Sequence, residues 1–182
     1  MKNPFNRNRL LSIAVILIST LWVLFTTLSN NEVSGENYSA PQKGFSAPDF
    51  ILQDLEGNQY QLSSFIGEKV IVNIWASWCK PCQYEMPALQ KIHEKYSDQG
   101  LVLLAVNNTY QDNYSNVVDF VSANNLTFPI LMDLDGNVSQ LYKVQALPST
   151  FFIDRNGKIS EIIIGGPMSE ALIEAKIMEL EK

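Results

Sequence analysis

Cysteine and histidine are scarce in this chain of 182 residues, which has two cysteines, Cys79 and Cys82, and one histidine, His93. A structural zinc site normally needs four protein ligands, and a catalytic zinc site needs three. His93 lies eleven residues after Cys82, about three helical turns away, so it cannot complete a site with the pair. We therefore expect no metal and no cofactor at the cysteines, and we expect His93 to face solvent.

Basic residues are also in short supply, with 13 Lys and Arg against 19 Asp and Glu and a net charge of −6. Lys2, Arg7 and Arg9 precede the first long apolar run, and every acidic residue follows it. Nucleic-acid binding requires Lys and Arg to neutralise phosphates, so this acidic body predicts no nucleic-acid partner. The length and the 46% hydrophobic content suit one domain with a buried core plus an appendage.

Charge is absent altogether from Leu10 to Leu28, a run of 19 residues. As a helix it would be about 28 Å long, close to the roughly 30 Å hydrocarbon core of a bilayer. The run exceeds the usual apolar segment of a cleaved signal peptide, and no convincing small-residue cleavage site follows it, which favours an uncleaved signal-anchor over a cleaved signal. The basic residues before it predict a cytoplasmic amino terminus and a body on the extracytoplasmic side of the cell membrane.

The predicted organisation is a cytoplasmic basic segment at 1–9, a transmembrane signal-anchor at 10–28, a flexible tether at 29–43 and a folded domain at 44–182. Within the domain, apolar β-branched runs predict strands at 69–76, 101–107, 128–132, 149–154 and 158–164. Helical spacing predicts helices at 81–97, 117–123, 138–143 and 169–182. A short hairpin is expected at 50–62. Strands separated by helices predict an α/β fold with a mostly parallel sheet covered on both faces, to which the last hairpin adds antiparallel pairing.

The two cysteines are separated by only Lys80 and Pro81, so a disulfide between them closes a very short loop. In the chain-entropy treatment such a loop yields only about 2 kcal/mol of stability, against about 4.7 kcal/mol for a loop of 100 residues. The pair is therefore poorly placed as a structural staple.

A reactive pair fits the sequence better, because the motif lies between a predicted strand and a predicted helix. The first sulfur then sits at a helix amino terminus, where free N–H groups and the helix dipole stabilise a thiolate. Lys80 adds positive charge, and Pro81 suits the first helical turn. We expect the second sulfur to lie inward, ready to attack a mixed disulfide.

At "WASWCKPC" the chain resembles the thioredoxin superfamily, and more closely the TlpA/ResA-like membrane-anchored thiol–disulfide oxidoreductases. The resemblance covers about 44–180, through "GFSAPDFILQDLEGNQYQLSSFIGEKVIVNIWASWCKPCQYEMPAL" and "YKVQALPSTFFIDRNGKI". It implies a thioredoxin-like fold, with a central mixed sheet flanked by helices, an N-terminal hairpin and a central αβ insertion at about 109–132.

The resemblance also implies roles for individual residues. Cys79 is expected to be the exposed nucleophile and Cys82 the resolving cysteine, with Trp78 packed beside them. Pro148 in "ALPST" matches the cis-proline that faces the disulfide in this family, and the backbone of Leu147 would pair with an extended substrate segment.

Glu85 matches a glutamate of the tethered family, whereas cytoplasmic thioredoxins place a buried aspartate six residues before the first cysteine, where this chain has Asn73. We expect Glu85 to be partly buried, to have a raised pKa and to exchange protons with the cysteines. The alternative is an ordinary solvated carboxylate on a helix surface.

The predicted function is that of an extracytoplasmic, membrane-tethered protein-disulfide reductase. The resemblance implies a disulfide-bearing extracytoplasmic protein as substrate, commonly the haem-site cysteines of apocytochrome c in cytochrome c maturation, and a CcdA-like membrane donor of electrons.

Three alternatives stay open. A peroxiredoxin shares a similar opening but carries threonine where this chain has Ala76. A copper-binding or metallochaperone module of the same fold would need a histidine near the pair. A dithiol oxidant differs only in reduction potential, which the sequence does not determine.

Overall fold

The computed structural model describes residues 4–28 and 39–180, and it divides into two units. The first unit holds one helix, α1 (Pro4–Leu28), which contains the predicted signal-anchor. In the part of the chain that the structure describes, no helix combines the length and apolar character needed to cross a membrane. The signal-anchor therefore stays a prediction. Most of the predicted tether, 29–38, lies outside the described residues, as do 1–3 and 181–182.

The second unit is built on a five-stranded mixed sheet with the order β5-β4-β3-β6-β7. Its strands are β3 (Lys69–Trp75), β4 (Leu101–Asn107), β5 (Ile130–Met132), β6 (Ser149–Ile153) and β7 (Ile159–Ile164). β3, β4 and β5 pair in parallel, whereas β6 and β7 run antiparallel to their neighbours. Ahead of the sheet, β1 (Ile51–Gln53) and β2 (Gln59–Gln61) form the predicted N-terminal hairpin. The thioredoxin-like α/β fold is thereby confirmed.

Within residues 39–180, four α-helices accompany the sheet: α2 (Lys80–Tyr96), α3 (Tyr114–Ala123), α4 (Asn137–Leu141) and α5 (Glu170–Glu179). Each forms where helical spacing predicted one. α2 begins one residue earlier than predicted, because Cys79 caps it, and α3 begins three residues earlier, with the Asn113 side chain accepting from Ser115 N. Ser169 caps α5 in the same manner, accepting from Leu172 N.

Alternate residues of β3 face the two sides of the sheet and enter two separate apolar cores, as the period of a strand requires. Ile71 and Trp75 contribute to one core, and Val70, Val72 and Ile74 to the other. The first core is completed mainly by side chains of α2 and α5, such as Met86, Leu89, Ile92, Ile173 and Ile177. The second core is completed by the N-terminal hairpin region and the α4 region, with side chains such as Phe50, Leu62, Val138 and Tyr142. Each such buried side chain contributes about 1.5–3 kcal/mol through removal from water, so β3 is held firmly up to the point where it ends before the cysteines.

His93 does not face solvent, so that expectation is wrong. Its ring is half-buried, 5.9 Å from the ring of Phe128 in an edge-to-face arrangement. Burial lowers the pKa of His93 below its ordinary value. His93 is buried because α2 packs against the 126–128 segment, where Gln90 Nε2 donates to Thr127 Oγ1 over 2.8 Å.

Candidate active site

The cysteine pair lies where β3 gives way to α2. Cys79 has extended backbone angles and caps the helix, and its Sγ accepts a hydrogen bond from Cys82 N over 3.3 Å. The two sulfurs form a disulfide, with the Cα atoms 5.2 Å apart. On reduction, the Cys79 sulfur would stay at the positive end of α2, which favours its thiolate.

The two sulfurs differ in access, but less than we expected. Cys82 is completely buried, and Cys79 is only 5% exposed, so the expectation of an exposed Cys79 is wrong for the disulfide form. Cys79 packs within the first core while also lining a cavity of about 540 Å³, which Cys82 does not reach. Trp78 and Tyr110 on the same cavity are 55% and 68% exposed, so the cavity opens to solvent. A substrate can therefore approach the pair only from the Cys79 side.

The residues around the pair take well-defined places. Trp78 lies on the same cavity as Cys79, but its ring is exposed, and its Nε1 donates to Gln111 O over 2.9 Å. Lys80 is exposed, with Nζ 3.2 Å from Gln83 Oε1, and Pro81 lies in the first turn of α2. Lys80 and Pro81 also line the cavity beside Cys79.

The Leu147–Pro148 bond is cis, and it immediately precedes β6. Because β6 runs antiparallel to β3, with Ser149 opposite Ile74, the start of β6 lies at the sheet edge where β3 ends. Leu147 packs against the first core and lines the Cys79 cavity. The structure thus brings Pro148 and Leu147 to the cysteine end of the sheet, while their roles toward substrate stay predictions.

Glu85 is completely buried, one helical turn after Cys82 on α2. Its Oε1 accepts from Asn73 Nδ2 over 2.8 Å, and its Oε2 accepts from Met168 N over 3.1 Å. Asn73 Nδ2 also donates to Thr150 Oγ1 over 2.9 Å. Burial raises the pKa of Glu85 above its ordinary value, although the hydrogen bonds from Met168 and Asn73 act in the opposite direction. A carboxyl in this setting can hold or release a proton nearer to neutral pH than a solvated one.

Gly166 is required for this arrangement, and the sequence analysis missed it. A Cβ at this position would lie 2.8 Å from Glu85 Oε2 and 2.9 Å from Pro148 Cγ. Only a residue without a side chain lets the segment before Met168 pass this close to both groups. The pair Gly165–Gly166 before Pro167 is the signal in the sequence that could have indicated a close backbone approach.

Asp112 is a second residue that the sequence analysis missed. Its carboxylate accepts from Ser77 N over 2.5 Å, from Ser77 Oγ over 2.6 Å and from Asn107 Nδ2 over 2.9 Å. Ser77 lies two residues before Cys79, so this carboxylate ties the cysteine loop to the end of β4. No local pattern points to it, because the contact joins residues 35 positions apart.

A metal ion would need a cluster of ligand side chains within residues 4–28 and 39–180, the part of the chain that the structure describes. In these ranges no group of three or more His, Cys, Asp or Glu side chains is placed to hold a metal ion.

Comparison with known proteins gives a consistent result. The AhpC/TSA family matches residues 44–162. The thiol-disulfide oxidoreductase ResA of Geobacillus thermodenitrificans (strain NG80-2) is 40% identical over 159 residues, covering 87% of this chain and 89% of that protein. The thioredoxin-like protein YneN of Bacillus subtilis (strain 168) is 39% identical, covering 87% and 88%. Among solved structures, StoA from Bacillus subtilis is similar with a TM-score of 0.63 at 30% identity, covering 71% of this chain and 96% of that one.

Proposed function

The chain belongs to the AhpC/TSA family within the thioredoxin superfamily and is a ResA-like thiol–disulfide oxidoreductase with a Cys-x-x-Cys pair, and from this membership we propose that it reduces disulfides of proteins outside the cytoplasm. One observation carries the proposal. The two cysteines are joined at the start of α2, with Cys79 on an open cavity and Cys82 sealed behind it. Such a pair has one sulfur for the substrate and one for resolution.

The reaction starts from the dithiol form. The Cys79 thiolate attacks one substrate sulfur, a Cys79–substrate disulfide forms, and the other substrate sulfur leaves as a thiolate that takes up a proton. Cys82 then loses its proton and attacks the Cys79 sulfur, so the first substrate sulfur leaves and is protonated in turn. The Cys79–Cys82 disulfide of the structure is the product. Two electrons have passed from the cysteine pair to the substrate disulfide.

Glu85 serves the second step in this scheme. Cys82 is completely buried, so its thiol proton cannot leave directly to water. Glu85 lies one turn farther along the same helix and, with its raised pKa, accepts a proton near neutral pH more readily than a solvated carboxylate. Its hydrogen bonds from Asn73 and Met168 fix the carboxylate in place for this transfer.

Each turnover leaves the enzyme oxidised, so a reductant must restore the dithiol. The resemblance to TlpA/ResA-like enzymes supports a CcdA-like membrane donor, which would carry electrons across the membrane. The same resemblance supports the haem-site cysteines of apocytochrome c as a substrate, which must be reduced before haem can be attached.

We also propose that the amino-terminal helix holds the enzyme at the cell membrane with the catalytic domain on the extracytoplasmic side. The support is the uncharged run Leu10–Leu28 and the exposure of every described side chain of α1, from 11 to 24. Exposed apolar surface of this kind is unfavourable in water. The test compares the full chain with a Leu17→Lys/Leu21→Lys variant in bacterial cells. The full chain should resist extraction of membranes at alkaline pH while the variant is released; equal release of both would refute the anchor.

Trapping tests the proposed reductase. In a Cys82→Ser variant the first step proceeds but resolution cannot, so Cys79 should retain its substrate as a stable mixed disulfide that mass spectrometry identifies. Cys79→Ser is the matched control and should trap nothing. Equal trapping by both variants, or none by either with a reduced chain and a disulfide-bearing substrate, would contradict the proposal.

A further inference from the structure

The cavity beside Cys79, called here the Cys79 groove, carries positive charge on an otherwise acidic protein. It is lined by Lys80 and Lys143 and by no Asp or Glu. By contrast, the cavity of about 630 Å³ beside the N-terminal hairpin is lined by four aspartates, Asp49, Asp54, Asp133 and Asp135, and by no Lys or Arg. Among the described residues, neither groove lysine takes part in a salt bridge. The charge of the Cys79 groove is therefore available to a partner.

Lys143 occupies an unfavourable backbone conformation. Its φ of 52° lies in the left-handed region, which among the described non-glycine residues only Asn125 shares. The position ends α4, where Lys143 N donates to Gln140 O and Val144 N donates to Ser139 O. Glycine or asparagine normally fills such a position because a longer side chain clashes with its own backbone. Its side chain is exposed and forms no salt bridge among the described residues, so no such contact offsets the cost of this backbone conformation.

Asn108 supplies an unused hydrogen-bond acceptor on the same groove. The residue is 7% exposed at the edge of the groove, and its Oδ1 is shielded from solvent and has no hydrogen-bond partner among the described residues. A buried acceptor without a partner is unfavourable, so a rotation of the side-chain amide that turns Oδ1 into the groove would let it accept from a donor on a ligand. An extended polypeptide offers such donors as backbone N–H groups.

We propose that the Cys79 groove selects disulfide-bearing protein segments with a carboxylate close to the cysteine that Cys79 attacks. Lys143 pairs with that carboxylate, and Asn108 accepts a backbone N–H of the same segment. Trp78 and Tyr110, both exposed, provide apolar surface along the groove. This inference rests on the proposed reductase function and narrows its substrate to acidic segments.

The test uses three short peptides with an internal disulfide and the same sequence, except that the residue beside one cysteine is Glu, Gln or Lys. Reduction by the full chain in its dithiol form is followed under single-turnover conditions, at low and at high salt. The Glu peptide should react about threefold faster than the Gln peptide and faster still than the Lys peptide, as a partly exposed ion pair allows. High salt should reduce this preference, because it screens the pair.

Variants assign the preference to residues. Lys143→Gln should remove most of the difference in rate between the Glu and Gln peptides. Lys158→Gln, which changes an exposed lysine outside the groove, should leave that difference unchanged. Lys143→Gly should lose the preference and raise the urea midpoint, since glycine relieves the backbone. Asn108→Ala should slow all three peptides by a common factor of about five.

The outcomes distinguish the reductase function from the preference for acidic segments. Equal rates for the three peptides with the natural chain would overturn the selectivity and leave the reductase standing. A Glu preference that survives Lys143→Gln would overturn the role of Lys143. Failure to reduce any of the peptides, or any other disulfide, would overturn the reductase and the inference together.

Discussion

The carboxylate of Asp112 gives the sharpest test of how this active site is held in place. Asp112→Ala removes the acceptor for four donors: two groups of Ser77, Asn107 Nδ2 and the exposed Asn113 N. Ser77 is 7% exposed and Asn107 is completely buried, so water can reach these donors only in part. The substitution leaves the apolar cores untouched, which makes the hydrogen bonds the main cause of any effect.

The expected magnitude follows from the three donors of Ser77 and Asn107, because water can replace the acceptor for the exposed Asn113 N. A buried donor left unpaired costs about 1–3 kcal/mol, and a bond to a charged acceptor lies toward the upper end. Partial access of water lowers the sum, and we expect a loss of about 3 kcal/mol in the free energy of unfolding. With a urea slope of about 2 kcal/mol per M, the midpoint falls by about 1.5 M. Because Ser77 lies two residues before Cys79, kcat/KM for disulfide reduction should also fall roughly tenfold through misplacement of the sulfur.

Urea unfolding followed by fluorescence, together with the reduction assay, measures both effects. The matched control is Asp119→Ala, which removes an exposed carboxylate from α3 and should change stability by no more than about 0.5 kcal/mol. If Asp112→Ala unfolds at the same urea concentration as Asp119→Ala, the carboxylate does not hold the cysteine loop and the reasoning is refuted.

Two further substitutions test the buried carboxyl. In the folded chain the pKa of Glu85 is raised above its ordinary 4.5, so the natural protein should lose stability as the pH rises from that value through the folded pKa. Glu85→Gln lacks this loss, so its stability relative to the natural protein should improve as the pH rises. Urea midpoints of both proteins at about pH 5 and about pH 8 measure the difference, and a difference that stays constant would contradict the effect of burial on the pKa. Gly166→Ala places a Cβ 2.8 Å from Glu85 Oε2 and should slow disulfide reduction. The control is Gly57→Ala, whose added Cβ meets no atom within 4 Å and which should keep the rate of reduction despite backbone strain. Equal rates for the two variants would argue against the close approach of Gly166 to Glu85.

Local sequence features account for the scaffold of the site. The apolar run of β3, the cysteine cap and Pro81 in the first turn specify a strand followed by a helix with a sulfur at their junction, because all three act within a few residues of one another. The two-residue spacing of the cysteines likewise specifies which atoms react. For these features the prediction from sequence and the structure agree.

Exposure was predicted poorly, because it depends on what the rest of the chain places over a residue. Cys79 was expected to be open and is 5% exposed, and His93 was expected in solvent and packs on Phe128. Cys79 caps α2 and His93 lies within it, and the sequence of this helix does not reveal which segments cover either residue.

Glu85 shows which properties of a residue follow from the sequence and which follow only from the tertiary structure. Its position one turn after Cys82 is a property of the sequence, but that spacing suits a solvated carboxylate equally well. Its pKa is raised because distant segments of the chain bury it, among them Asn73 of β3 and Met168, 83 positions away, whose hydrogen bonds to its two oxygens act against that rise.

The sequence by itself determined the order of strands and helices, the pairing of the two cysteines and the redox chemistry that they support, since periodicity, caps and close spacing act over short stretches of chain. Only the tertiary structure decided which groups surround those sulfurs. Asp112 and Gly166, like the Cys79 groove with Asn108 and Lys143, owe their places to chain segments far apart in sequence. Packing of the sheet and helices brings these segments together, and no local pattern records which distant side chains will meet.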